Sequence, residues 1–184
     1  MKARQIGPAR AAAAPSQAFE TVFLEHWGMV YRLLVRMLGD PDEAEDLALE
    51  TFFKLYQRPP QSGEGSSLKG WLFRVATNKG LHAIRSAQRR RRYELAAGRD
   101  ACDDPPEDRP AEILDRREAD RLARLALGQL PPRQARLLSL RYSGMAYKDL
   151  AAALGLAPAS IGPLLLRAER EFVRIYRSIT REET

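Results

Sequence analysis

Between Phe19 and Leu38 the apolar positions Phe19, Phe23, Trp27, Val30, Leu34 and Met37 or Leu38 recur every three or four residues. That spacing makes one face of a helix, and Gly39 is a usual helix terminator. A second helix follows in DPDEAEDLALETFFKLYQRPP. Asp40 fits as its N-cap, Pro41 as its first residue, and Glu43 as the far half of a capping-box-like pair. After the polar loop QRPPQSGEGSS, capped by Ser66 or Ser67, a third helix buries Leu68, Trp71, Leu72 and Val75. Apolar periodicity then stops and returns at Ala111. Pro131-Pro132 opens a helix packed through Leu137, Leu138 and Leu140. No alternating strand pattern of useful length occurs, so the pattern predicts an all-α chain.

The second helix carries more apolar surface than one core contact needs. Ala44, Leu47, Ala48, Phe52 and Leu55 form one stripe, with Leu49, Phe53 and Tyr56 beside it. Together they cover well over half the circumference, against the roughly 100° of an ordinary amphipathic helix. Either the helix is buried on two sides or it offers an apolar patch to a partner. Its acids Glu43, Asp46 and Glu50 share a face, but no histidine joins them. They read as a solvated face at the positive end of the helix dipole rather than as metal ligands.

The break between the periodic zones divides the chain. Residues 1–18 are expected to be a disordered leader and 19–93 a first helical domain. Residues 94–110, ELAAGRDACDDPPEDRP, read as an acidic, proline-rich flexible linker. Residues 111–177 form a second domain, followed by a tail at 178–184. Charge adds a direction: the net charge is +6 over 184 residues. The excess gathers at the far end of the third helix, in Arg74, Lys79, Arg85 and the run Arg89 to Arg92. Consecutive arginines repel unless a polyanion neutralises them, so phosphate contact is the favoured reading and a solvated basic face the other.

The second domain contains a helix-turn-helix spacing. Counting from Tyr147, the apolar positions Leu150, Leu154, Leu156, Ile161 and Leu164 fall where the motif needs them. Ala151 is small where the helices cross, and Gly155 suits a left-handed turn. An enzyme is not indicated. The histidines His26 and His82 lack metal-ligand spacing, there is no glycine-rich phosphate loop, and no cofactor is expected. The single cysteine, Cys102, excludes an internal disulfide framework. No apolar run approaches a membrane span of about 20 residues.

In order and spacing these segments resemble the extracytoplasmic-function sigma factors of bacteria. DPDEAEDLALETFFKLY is similar to region 2.2, LKGWLFRVATNKGLHAIRSAQRRRR to regions 2.3 and 2.4, and LPPRQARLLSLRYSGMAYKDLAAALGLAPASIGPLLLRAE to region 4. The resemblance implies two small helical domains, sigma-2-like and sigma-4-like, on a tether. It implies core RNA polymerase (β′ coiled coil and β flap) and promoter DNA as partners, an anti-sigma factor as a further one, and a cytoplasmic location. It assigns Asp46, Leu49, Glu50 and Phe53 to the polymerase. Trp71, Asn78, Lys79, Arg85, Arg89 and Arg90 fall to the −10 element, and Ser160, Arg167 and Arg170 to the −35 element. A sigma-like or helix-turn-helix regulator that binds DNA or polymerase without full initiation activity is the alternative.

Two departures stand out. His82 occupies a position where relatives often carry Asp, and no role is carried over to it. Gly162-Pro163 stands where many relatives have Lys, Ser, Arg or Thr. Proline inside a helix costs about 3 kcal/mol, and glycine adds roughly 1. The Ser-Ile-Gly-Pro order therefore predicts a late helix start capped by Ser160, or a kink. Without side-chain donors at 162 and 163, −35 reading is expected to be tolerant and dominated by phosphate contacts.

Overall fold

The computed structural model describes residues 17–60, 67–97 and 111–182. They form seven helices: α1 (Gln17–Leu38), α2 (Pro41–Gln57), α3 (Leu68–Ala96), α4 (Ala111–Gln129), α5 (Pro132–Tyr142), α6 (Tyr147–Leu154) and α7 (Pro158–Glu182). Among the described residues there is no strand. The leader expected at 1–18 lies outside them except for Gln17 and Ala18, which begin α1. The expected linker is helical through Ala96, and its remainder from residue 98 lies outside as well.

Helices α1 to α3 pack on one another around Val30, Leu33, Leu34, Met37, Phe52, Leu72 and Leu81. The α2 start is as its sequence dictates: Asp40 accepts hydrogen bonds from the amides of Asp42 (2.9 Å) and Glu43 (3.1 Å), with Pro41 in the first turn. Ser67 caps α3 by accepting from the Gly70 amide at 3.1 Å. Helices α1 and α3 approach closely at Gly80, where a Cβ would lie 2.9 Å from Met37 Cε and push that side chain aside. Phe52 closes the bundle edge-on to Phe23, ring centroids 4.9 Å apart.

Helices α4 to α7 bury Leu122, Ala126, Leu130, Leu137, Leu138, Leu140, Leu150, Ile161, Leu165 and Ala168. The chain direction turns through 91° between α6 and α7, within the range of a helix-turn-helix. Gly155 makes the turn at φ +64°. The Leu156 amide donates to Ala151 O (2.9 Å) and the Gly155 amide to Ala152 O (3.4 Å), the paired bonds that close a helix at a left-handed residue.

The expected late start at Ser160 is not what the chain adopts. Helix α7 begins at Pro158 and continues without interruption through Pro163 to Glu182. Proline at the first helical position is already preset for the helix. Ile161, Leu165 and Ala168 are all buried, and a helix continuous through 161–168 puts them on one stripe. Pro163 cannot donate to the carbonyl of Ala159, yet both residues are exposed, so water reaches the freed oxygen. The same stripe continues through Ile175 and Ile179, which explains why residues 178–182 of the expected tail remain helical; 183 and 184 lie outside the described residues.

The two lobes are not held apart in this structure. Helix α3 packs against α4, α5 and α6 as well as α1 and α2, and one apolar core runs through both lobes. Among the described residues no single helix is long and apolar enough to cross a membrane.

Candidate polymerase and nucleic-acid interfaces

Helix α2 resolves the question its pattern raised. Ala44, Ala48, Phe52 and Leu55 are buried, whereas Leu49, Phe53 and Tyr56 are 47%, 60% and 46% exposed. The second stripe is an apolar patch on the surface, bordered by the exposed carboxylates Asp46 and Glu50. All four residues expected to meet polymerase therefore share the solvent side of α2. Tyr56 adds to the patch and is steadied by an edge contact with Phe19, centroids 5.3 Å apart. Glu50 has a further tie: it forms an ion pair with Lys79 of α3.

Helix α3 distributes its expected −10 residues unevenly. Asn78 is exposed and Lys79 partly so, side by side in a groove with Leu47, Glu50, Lys54 and His82 between α2 and α3. Arg89 and Arg90 are exposed with Arg91 and Arg92; Arg89 donates to Ser86 Oγ at 3.2 Å. Trp71 and Arg85 are placed differently. Trp71 is only 9% exposed and belongs to the core. Arg85 donates through Nε to Gly128 O (3.1 Å) and through Nη2 to Leu130 O (3.0 Å), at the C-terminal end of α4. In this arrangement neither presents itself to DNA.

The third set lies on α7. Arg167 and Arg170 are exposed and Ser160 partly buried. Arg174, one turn further, is engaged by Glu171, donating at 3.0 Å and 2.6 Å. Those hydrogen bonds hold the Glu171 carboxyl below the usual carboxylate range. Ser160, Pro163 and Arg167 line one wall of a groove whose other wall is α5, with Arg133 and Arg136. These two arginines were not singled out from the sequence. Their i, i+3 spacing behind Pro131-Pro132 was the available signal, but only the fold brings them across from Arg167.

The model of Sigma-70 region 2 matches residues 22–90, and that of Sigma-70, region 4 matches residues 120–172. The ECF RNA polymerase sigma factor SigL of Mycobacterium tuberculosis is 30% identical over 165 residues, covering 87% of this chain and 89% of that protein. The chain belongs to the ECF sigma factors. The ECF sigma factor SigE of Mycolicibacterium smegmatis is 31% identical over 175 residues, covering 94% of this chain. The matched part is 66% of SigE's own length. Among solved structures, the sigma factor RpoE in complex with the anti-sigma factor NepR from Bartonella quintana shares 25% identity. It covers 88% of this chain and 98% of its own, at a TM-score of 0.49.

Members of this family direct RNA polymerase to promoters. Helices α1 to α3 fall within or overlap the region 2 match, and α4 to α7 overlap the region 4 match. The stand-alone regulator is not favoured, because the region 2 match accounts for the lobe that such a regulator would not need.

Proposed function

We propose that this sigma factor docks on core polymerase through the exposed side of α2, with Leu49 and Phe53 as apolar anchors and Asp46 and Glu50 at the rim. The observation that carries the reading is the split of α2. One apolar stripe is spent on the core and a second, contiguous one is left in solvent, the condition that marks a partner surface. The −10 element is contacted along α3 by Asn78, Lys79, Arg89 and Arg90, joined by Arg85 and Trp71 once the lobes part. The −35 element is met by Ser160, Arg167 and Arg170 at the start of α7, with Arg133 and Arg136 on neighbouring phosphates. The chain contributes no catalytic group; polymerase performs the chemistry. A cytoplasmic location and an anti-sigma protein as further partner go with this reading.

Mapping the 5′ ends of transcripts made by purified core polymerase with and without this protein tests it. New start sites that depend on the protein are the expected result. Unchanged start sites, with DNA binding retained, would instead identify a regulator that does not initiate.

A further inference from the structure

One stripe of α3 runs from Asn78 through His82, Arg85 and Arg89 to Arg92, in steps of three and four residues. At a rise of about 1.5 Å per residue, these side chains follow one another roughly 4.5 to 6 Å apart. Asn78, Lys79 and His82 line the groove between α2 and α3. His82, Arg85, Arg89 and Arg92 line a second groove, whose other wall is the end of α4. His82 is the one residue common to both. Its polar neighbours are engaged. Lys79 pairs with Glu50, Arg85 donates to Gly128 O and Leu130 O, and Gln88 donates to Arg124 O (3.3 Å) and Leu125 O (3.1 Å). His82 is exposed, and among the described residues no hydrogen bond or ion pair holds its ring.

We propose that His82 is a further −10 contact, meeting the strand phosphate between those held by Lys79 and Arg89, and that it does so with its ring protonated. The inference rests on the −10 assignment of Lys79 and Arg89. A strand bound at both must cross the position between them, and His82 stands there with its ring uncommitted. The neutral ring offers one donor and one acceptor and leaves a gap in the line of cations. The protonated ring offers two donors and a charge, which a phosphate oxygen accepts as a charge-assisted bond. The charged groups facing the ring are Glu50 and Lys54 of α2 and Lys79, Arg85, Arg89, Arg91 and Arg92 of α3. Helix α4 brings only Leu125, Gly128 and Gln129 to that side. The single carboxylate, Glu50, is already paired with Lys79. The anion that favours the charged ring is therefore the incoming phosphate, and strand binding is linked to proton uptake. Affinity for the −10 strand rises as pH falls and is lost as pH climbs through the range in which imidazoles titrate.

The test uses holoenzyme formed from the full chain and core polymerase. Its probe is a fluorescent forked promoter fragment from a mapped start site, single-stranded through the −10 element. Affinities are measured at about pH 6 and about pH 8, on either side of the ordinary imidazole range. Dividing the affinity of the unsubstituted protein by that of His82→Gln at each pH cancels the titration of polymerase itself. That ratio should be about three- to tenfold at the lower pH and near unity at the higher. His82→Lys should bind tightly at both, and His26→Gln, on α1, should keep the full pH dependence. At the lower pH, His82→Gln should also lower the slope of log affinity against log salt by about 0.7, the share of one single-strand phosphate. A ratio that does not change with pH, or weakened binding by a folded His82→Lys, overturns the proposal. If no start site depends on the protein, the functional reading fails. The same ratio, measured for the free chain on a mixed-sequence single-stranded oligonucleotide, then still decides whether His82 contacts a strand.

Discussion

Pro163 leaves one carbonyl, that of Ala159, without its helical partner, and the two exposed residues let water take its place. Water is a poorer return than a helical bond, so Pro163→Ala should stabilise the protein by roughly 1–3 kcal/mol, within the cost of proline in a helix interior. A urea melt measures this. DNA affinity should change little, because neither side chain offers a donor to a base. Thr77 poses the opposite case, a buried side chain whose Oγ1 finds no partner among the described residues. Thr77→Val removes an unsatisfied oxygen and keeps the shape, so it should be neutral or stabilising by about 1 kcal/mol. A loss of more than that in the same melt would mean the hydroxyl has a partner, such as a bound water.

At the level of elements, neighbouring residues of one type have opposite fates. Phe52 is 1% exposed and Phe53 60%. Phe52→Ala should cost about 3–5 kcal/mol, as for a large core aromatic. Phe53→Ser, alone or with Leu49→Ser, should leave stability within about 0.5 kcal/mol. The pair should weaken binding to core polymerase at least tenfold, the behaviour of a buried anchor at an interface. A thermal melt beside a polymerase pull-down separates the two effects. The sequence carried this helix and its Asp40 N-cap, because periodicity and capping are local. Periodicity did not decide which of its two apolar stripes faced inward, since that depends on where α1 and α3 meet it; only the family resemblance placed Leu49 and Phe53 on the outer side. The start of α7 was misread for a related reason. A local rule against proline was outweighed by the burial of Ile161, Leu165 and Ala168 on one face.

Across the whole molecule, the information missing from the sequence was the packing of the lobes on each other. Arg85 and Gln88 are polar residues on a basic helix, and nothing in their spacing distinguishes a cap on α4 from a phosphate contact. Only the approach of Gly128 and Leu130 does so. The distribution of charge has a measurable consequence at the same scale. The cations assigned to DNA are spread over both lobes, Arg89, Arg90, Arg133, Arg167 and Arg170 exposed and Lys79 and Arg136 partly so, on α3, α5 and α7. Phosphate contacts add roughly 0.9 each to the slope of log affinity against log salt for duplex DNA. Replacing Arg167 or Arg170 by Ala should therefore lower that slope by about one while weakening all −35 sequences alike. The reading helix places Gly162 and Pro163 among its first turns and offers only Ser160 as a short side-chain donor before Arg167. Base discrimination worth about 1–3 kcal/mol per position comes from bidentate side-chain pairs, and this stretch has none to give. Single-base substitutions across the −35 element should thus cost less than about tenfold each in promoter binding, while substitutions in the −10 element cost more. Losses beyond tenfold at several −35 positions would show that Arg167 and Arg170 reach base edges as well as phosphates.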